Sequence, residues 1–156
     1  MFRKILVPLD GSPRAETILE GVIDLARCHD QSQILLLQVV ELVPTTVAVA
    51  NIDGPLSQET IDLLQEKARD YLETIQANLQ EKGIKASVHA LLGPVVATIV
   101  DVAAQEKVDL IAIASHGRTG LPAFFYGSVA AGVLHRTHLP LLVVRTVQPQ
   151  GGTGRT

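Results

Sequence analysis

The stretch KILVPLDGSP, Lys4 to Pro13, decides how the chain must be arranged. Ile5, Leu6, Val7 and Leu9 form a short apolar run, of the right length for a buried strand and too short for a helix. Asp10 and Gly11 break the run. Ser12 and Pro13 then make a helix start, with Ser as N-cap and Pro at the first helical position, where an N–H is not needed. Ile18, Val22 and Leu25 recur at helical spacing to about His29. A strand apolar on both faces, followed at once by an amphipathic helix, opens a β–α unit, and such strands are covered by helices on both sides.

The same alternation continues along the chain. QILLLQVV (Gln33 to Val40) is a second apolar run, and an irregular stretch from Glu41 to Leu56 carries Asn51, Asp53, Gly54 and Pro55. Ser57 caps a long helix with one apolar face, formed by Ile61, Leu64, Ala68, Leu72, Ile75 and Leu79, and Gly83 ends it. IKASVHALL (Ile84 to Leu92) alternates as a less buried strand does. Gly93-Pro94 opens a helix to about Lys107, with Val95, Ile99, Val102 and Ala103 inward. VDLIAIA (Val108 to Ala114) is the fourth strand. A helix from about Ser128 to His135 precedes the fifth, LPLLVVRTV (Leu139 to Val147). Five strands alternating with four helices predict an open three-layer α/β/α sandwich around a five-stranded parallel, Rossmann-like sheet. It is expected to occupy residues 1–147 as one domain, with 148–156 as a flexible tail.

Composition narrows the function classes. Nearly half of the 156 residues are apolar, but there are only three Phe, two Tyr and no Trp, so Leu, Ile, Val and Ala must build the core. A net charge of −3 gives no basis for non-specific nucleic-acid binding. One Cys excludes a disulfide framework and a cysteine-based zinc site. The first apolar run is too short for a signal-peptide core, and no stretch approaches the length of a membrane span. A soluble cytoplasmic protein is expected, with no membrane partner.

In an open parallel sheet, ligands sit outside the carboxyl ends of the strands, where the strand order reverses. The loops there are PLDGSP, VVEL and the segment IASHGRTGLPAFFYGSVAAG, Ile113 to Gly132. In the last, Gly117 and Gly120 permit close backbone approach. Gly127-Ser128 begins a helix whose free N–H groups suit a phosphate. The Ser128 hydroxyl can cap that helix or bond a phosphate oxygen, and Arg118 can add positive charge. The same residues also describe an ordinary loop ending in a capped helix. No G-x-x-x-x-G-K-[ST] is present, and no G-x-G-x-x-G follows the first strand, so neither a P-loop nor a dinucleotide fingerprint applies.

Single residues carry paired readings. Asp10 either orients a ligand, directly or through a metal, or only shapes the turn into the first helix. His116 has no carboxylate or nucleophile in its loop as partner, which favours a structural or phosphate-contacting role over acid–base catalysis. His135 and His138 lack a third ligand for zinc. His29 and His89 read as surface residues, and Cys28 as a small buried hydrophobe rather than a reactive thiol. Phe124, Phe125 and Tyr126 either pack the loop onto the protein or close over a ligand or partner.

The chain resembles the universal stress protein family over roughly Phe2 to Thr146. The resemblance rests on ILVPLDGSP, LLLQVVEL, DLIAIASHGRTGL, YGSVAAGVL and LPLLVVR, in that order and spacing. It implies the strand order 3-2-1-4-5. Nucleotide-binding members carry G-x-x-G-x9-G-[ST]. Here the pattern reads Ala114-Ser115-His116-Gly117, then Arg118 to Tyr126, then Gly127-Ser128, so Ala114 stands where the first glycine would. The resemblance implies ATP, or ADP or AMP, as ligand. Pro8, Leu9 and Asp10 would hold adenine and ribose, Val39 would read the adenine edge, and Ile113 and Ala114 would line the ribose approach. Ser115, His116, Gly117 and Arg118 would lie beside the phosphates, and Gly127, Ser128 and Val129 would supply the helix start. Mg²⁺ would be held mainly through the phosphates and water, with Asp10 placed to assist. The last strand commonly pairs with its twofold copy, implying a homodimer through Pro140 to Val147. The alternatives are a dimeric adaptor that binds no nucleotide, kept open by Ala114, and a slow ATPase, disfavoured by the absence of a P-loop Lys and a Walker-type acid.

Overall fold

A computed structural model describes residues 2–29, 31–42, 57–116 and 127–146, and the side chains of His116 and Thr146 lie outside it. The described elements, in chain order, are β1 (Lys4–Pro8), α1 (Pro13–Glu16), α2 (Ile18–Arg27), β2 (Gln33–Val40), α3 (Gln58–Glu81), β3 (Lys85–Leu92), α4 (Val95–Gln105), β4 (Leu110–His116), α5 (Ser128–Leu134) and β5 (Leu141–Thr146). The strands form one five-stranded sheet in the order β3-β2-β1-β4-β5, and every pairing is parallel.

Alternation along each strand splits the core into two layers. Ile5, Val7, Ile34, Leu36, Leu110 and Ala112 face α2 and α3, where they meet Val22, Leu72 and Ile75. Leu6, Leu35, Leu37, Ile111 and Ile113 face the other way, against Ile99 and Val102 of α4 and Ala130 and Val133 of α5. Ile5, Leu6 and Val7, and likewise Ile34 to Leu37, are fully buried, as expected for central strands covered on both sides. The β5 residues from Leu141 to Val144 are only half-buried, because among the described strands β5 has β4 as its single neighbour.

Local chemistry sets the ends. The Ser12 hydroxyl accepts from the Ala15 N–H at 3.2 Å, with Pro13 at the first helical position. Ser57 caps α3 through the Thr60 N–H at 3.3 Å. Gly83 sits at φ +75° beyond α3, where its N–H bonds the Gln80 carbonyl and that of Ile84 bonds the Leu79 carbonyl, both at 2.9 Å. This is a Schellman close.

Two expectations need correction. The first helix is not continuous. The Thr17 N–H bonds back to the Arg14 carbonyl, which its hydroxyl also engages at 2.7 Å, so the turn tightens and α1 ends before α2 begins. Cys28 is exposed rather than buried. The inward row of α2 is Ile18, Val22, Ile23 and Ala26, and Cys28 falls beyond it, its thiol donating to the Asp24 carbonyl at 3.2 Å. Leu25 is half-buried, as are His29 and His89. The tail 148–156 and the cluster Phe124 to Tyr126 lie outside the described residues.

Candidate functional site at the carboxyl ends of β1, β2 and β4

The strand order reverses at β1, which has β2 on one side and β4 on the other. Register between β1 and β4 covers only Ile5–Leu110 and Leu6–Ile111, although β1 runs to Pro8 and β4 to His116. Pro8 has no N–H to continue the ladder. Beyond it a cleft of about 320 Å³ opens between the carboxyl ends of the strands, α4 and the start of α5.

Ten of the residues expected at a ligand site line this cleft: Pro8, Leu9 and Asp10 from β1 and its loop, Val39 from β2, and Ile113, Ala114 and Ser115 from β4 complete one wall. Gly127, Ser128 and Val129 form the other. Of the remaining three, His116 ends β4 in register with Thr146, and Gly117 and Arg118 lie outside the described residues. Ala15, Val95, Ile99 and Ala130 also line the cleft and were not singled out as site residues. Helical periodicity places Val95 and Ile99 in the core. One helical turn apart, they point at the sheet, but at its carboxyl end that direction is partly cleft.

Asp10 has a defined turn role. Its Oδ1 accepts from the Ser12 N–H at 2.9 Å, which fixes the approach to α1. The Tyr71 hydroxyl of α3 donates to Glu16 at 3.0 Å and ties α1 down from the side. Burial pushes the Tyr71 phenol far above its ordinary range, reinforced by the hydrogen bond to Glu16 and by the charges of Glu16 and Asp10, so the hydroxyl stays a donor at any physiological pH.

Ser128 does not cap α5. Gly127 occupies the N-cap position and makes no side-chain cap bond, which leaves Ser128 exposed as the first helical residue. Ala114 is in regular β structure, in register with Val144. Lys107 is the one non-glycine residue at positive φ among the described residues, so Ala114 carries no left-handed strain. It packs against the α2-side core. Its neighbour Ile113 belongs to the α4/α5 side. Asp10 is the single ionisable side chain among the described lining residues.

The model of the universal stress protein family matches residues 1–145. This chain belongs to the universal stress protein family. Among its relatives is universal stress protein MJ0577 of Methanocaldococcus jannaschii, 30% identical over 93% of this chain and 96% of that one. The solved structure of MJ0577 superposes with a TM-score of 0.76, covering 96% of this chain and 99% of the other. Two more distant structures share the fold. A universal stress protein in complex with cAMP has a TM-score of 0.58 at 18% identity, over 92% of this chain and 97% of the other. A family protein from Arabidopsis thaliana with AMP bound has a TM-score of 0.62 at 17% identity, over 92% and 91%. No helix of this universal stress protein among its described residues is long and apolar enough to cross a membrane.

Proposed function

We propose that this universal stress protein binds an adenine nucleotide, ATP foremost, in the cleft at the β1/β4 switch point, and acts in the cytoplasm as a nucleotide-dependent stress-response or signalling protein. The observation that carries this reading is the convergence of Pro8, Asp10, Val39, Ala114 and the Gly127-Ser128 helix start on one cleft of about 320 Å³. Its walls are mainly apolar with a few polar groups, as suits a base and ribose. AMP and cAMP in family structures of the same fold add support. Ala114 is compatible with the reading because its backbone is extended and its methyl packs toward the α2-side core.

In this assignment Pro8, Leu9 and Asp10 hold the adenine and ribose, and Val39 reads the adenine edge. Ser115, His116, Gly117, Arg118, Gly127, Ser128 and Val129 surround the phosphates. Mg²⁺ would be held mainly through the phosphates and water, and Asp10, the one carboxylate among the described lining residues, would assist it. The protein is a binder rather than an enzyme. Fast hydrolysis needs a positioned base and charge stabilisation, and the described lining offers one carboxylate already engaged in a turn. The functional unit is a homodimer paired through Pro140 to Val147.

The test is mass spectrometry of nucleotide released from the purified, denatured protein, followed by calorimetric titration with ATP and AMP. Co-purified nucleotide, or micromolar binding abolished in Gly127→Val, is expected. No bound nucleotide and no binding heat at millimolar ATP would overturn the proposal. A dimeric adaptor that uses no nucleotide would then be the better reading, with Ala114 as its sequence mark.

A further inference from the structure

A second cleft lies at the opposite end of the sheet, where α2 and α3 end and β3 begins. It encloses about 240 Å³ and is lined by Arg27, His29, Ser32, Lys82, Ile84 and Lys85, with Ala26 and Gly83 completing it. Arg27 is the last residue of α2, Lys82 the C-cap of α3, and Lys85 the first residue of β3. All three are exposed. No carboxylate is among the described residues that line the cleft, and Asp30, next to His29 in the chain, lies outside the described residues. Among the described residues, the ion pairs are Lys4–Glu106 and His89–Glu106, so none of the three cations makes an ion pair with a described acid.

Cations at helix C-termini have an ordinary explanation, since they complement the helix dipole. Magnitudes show that it is insufficient here. Two helix ends supply roughly half a negative charge each, against three full positive charges. Four of the carbonyls at these two helix ends are also already engaged. Leu79 and Gln80 accept from the N–H groups of Ile84 and Gly83 at 2.9 Å, and Leu25 and Ala26 accept from those of Cys28 and His29 at 3.2 and 3.3 Å. Even with Asp30 counted as one full negative charge, a surplus of about one positive charge remains in one concavity of a chain whose net charge is −3. Gly83 adds no side chain to the lining, and nothing lies within 4 Å of the position a Cβ would take.

We propose that the Arg27–Lys82–Lys85 cleft is a separate anion site for a compact, multiply charged phosphoryl group of the pyrophosphate type. A guanidinium and two ammonium groups suit such an anion: the guanidinium takes two oxygens at once, and the ammoniums follow the remaining charge. Free short-chain polyphosphate and the phosphate chain of a nucleotide share this chemistry. The site is independent of the nucleotide cleft at the other end of the sheet.

The test is an NMR titration of the full chain with inorganic pyrophosphate at low salt, following backbone amide shifts. Saturable shifts centred on Arg27, Gly83 and Lys85 are expected. Lys82→Gln/Lys85→Gln should weaken binding at least tenfold. Lys67→Gln/Arg69→Gln, which removes the same charge from the exposed face of α3, should leave it unchanged, as should Gly127→Val. A parallel ATP titration identifies the source: shifts at this cleft with ATP point to a nucleotide's phosphates, and shifts with pyrophosphate alone point to free phosphate. Non-saturating shifts, equal weakening in the two double variants, or shifts confined to Gly127–Val129 would overturn the proposal. Circular dichroism of the double variants checks that the fold is kept.

Discussion

At the scale of single residues, two positions near the start of β4 make opposite contributions. Lys107 adopts φ 51° at the close of α4, where its N–H bonds the Ala104 carbonyl and that of Val108 bonds the Ala103 carbonyl. This repeats the geometry of Gly83, but with a Cβ in a conformation that penalises it. We expect Lys107→Gly to raise stability by about 0.5–1 kcal/mol, seen as a higher urea midpoint with unchanged slope. Asp109 does the reverse. Its Oδ2 accepts from the N–H groups of Arg3 and Lys4, both at 2.9 Å, and so joins the starts of β1 and β4. These bonds, that of Lys4 first, hold the Asp109 carboxyl below the ordinary aspartate range, with smaller help from nearby positive charge. Folding therefore favours its charged form. The stabilisation is complete above the unfolded-state pKa of about 3.9 and is lost as pH falls through the lower folded-state value. Asp109→Ala should cost about 1 kcal/mol at neutral pH, solvent screening included, and the gap to the parent should close in acid. A gap that stays constant from pH 7 to the acid limit of folding would contradict this. Neither position was legible in the sequence. Lys is a common residue at a helix end, and Asp109 meets its partners only once β1 and β4 lie side by side.

At the scale of elements, glycines separate free space from close approach. Gly21 lies inside α2 with nothing within 4 Å of a built Cβ. Gly21→Ala should therefore stabilise by about 0.4–1 kcal/mol through backbone entropy alone, raising the melting temperature. Gly132 in α5 is the contrary case, since a Cβ there would come within 2.8 Å of Val96 Cγ2 on α4. Gly132→Ala should cost about 1–3 kcal/mol, and Val96→Ala added to it should recover part of the loss. A loss in Gly132→Ala that Val96→Ala leaves untouched would show that the α4–α5 approach is not its cause. Most elements were legible because Ser12, Ser57 and Gly83 mark their ends and because the apolar spacing switches cleanly between strand and helix. The break at Thr17 was not legible, since a hydroxyl bonding back to Arg14 changes no apolar spacing. The cleft was legible through the loops that follow β1, β2 and β4, and Val95 and Ile99 were missed because helical periodicity gives a direction and not the depth at which core becomes cleft.

At the scale of the whole molecule, the sheet has one edge that the described residues leave half-covered. β3 is mixed in character, with Lys85, Ser87 and His89 along it and the long α3 beside it. β5 pairs with β4 alone, and its side chains from Leu141 to Val144 are apolar and half-buried. Arg145 is its one charged residue. An edge so apolar, with no inward charge or bulge to blunt it, is a surface that another strand can extend. In the proposed homodimer a second copy of β5 would extend the sheet at this edge and cover the half-buried side chains. We expect sedimentation equilibrium to give twice the monomer mass at micromolar concentration. Val143→Lys, which puts a charge on that edge, should shift the equilibrium to monomer while leaving the circular dichroism spectrum and the nucleotide affinity unchanged. A parent protein that sediments as a monomer at high micromolar concentration would refute this pairing. A Val143→Lys variant that stays dimeric would move the interface to another face.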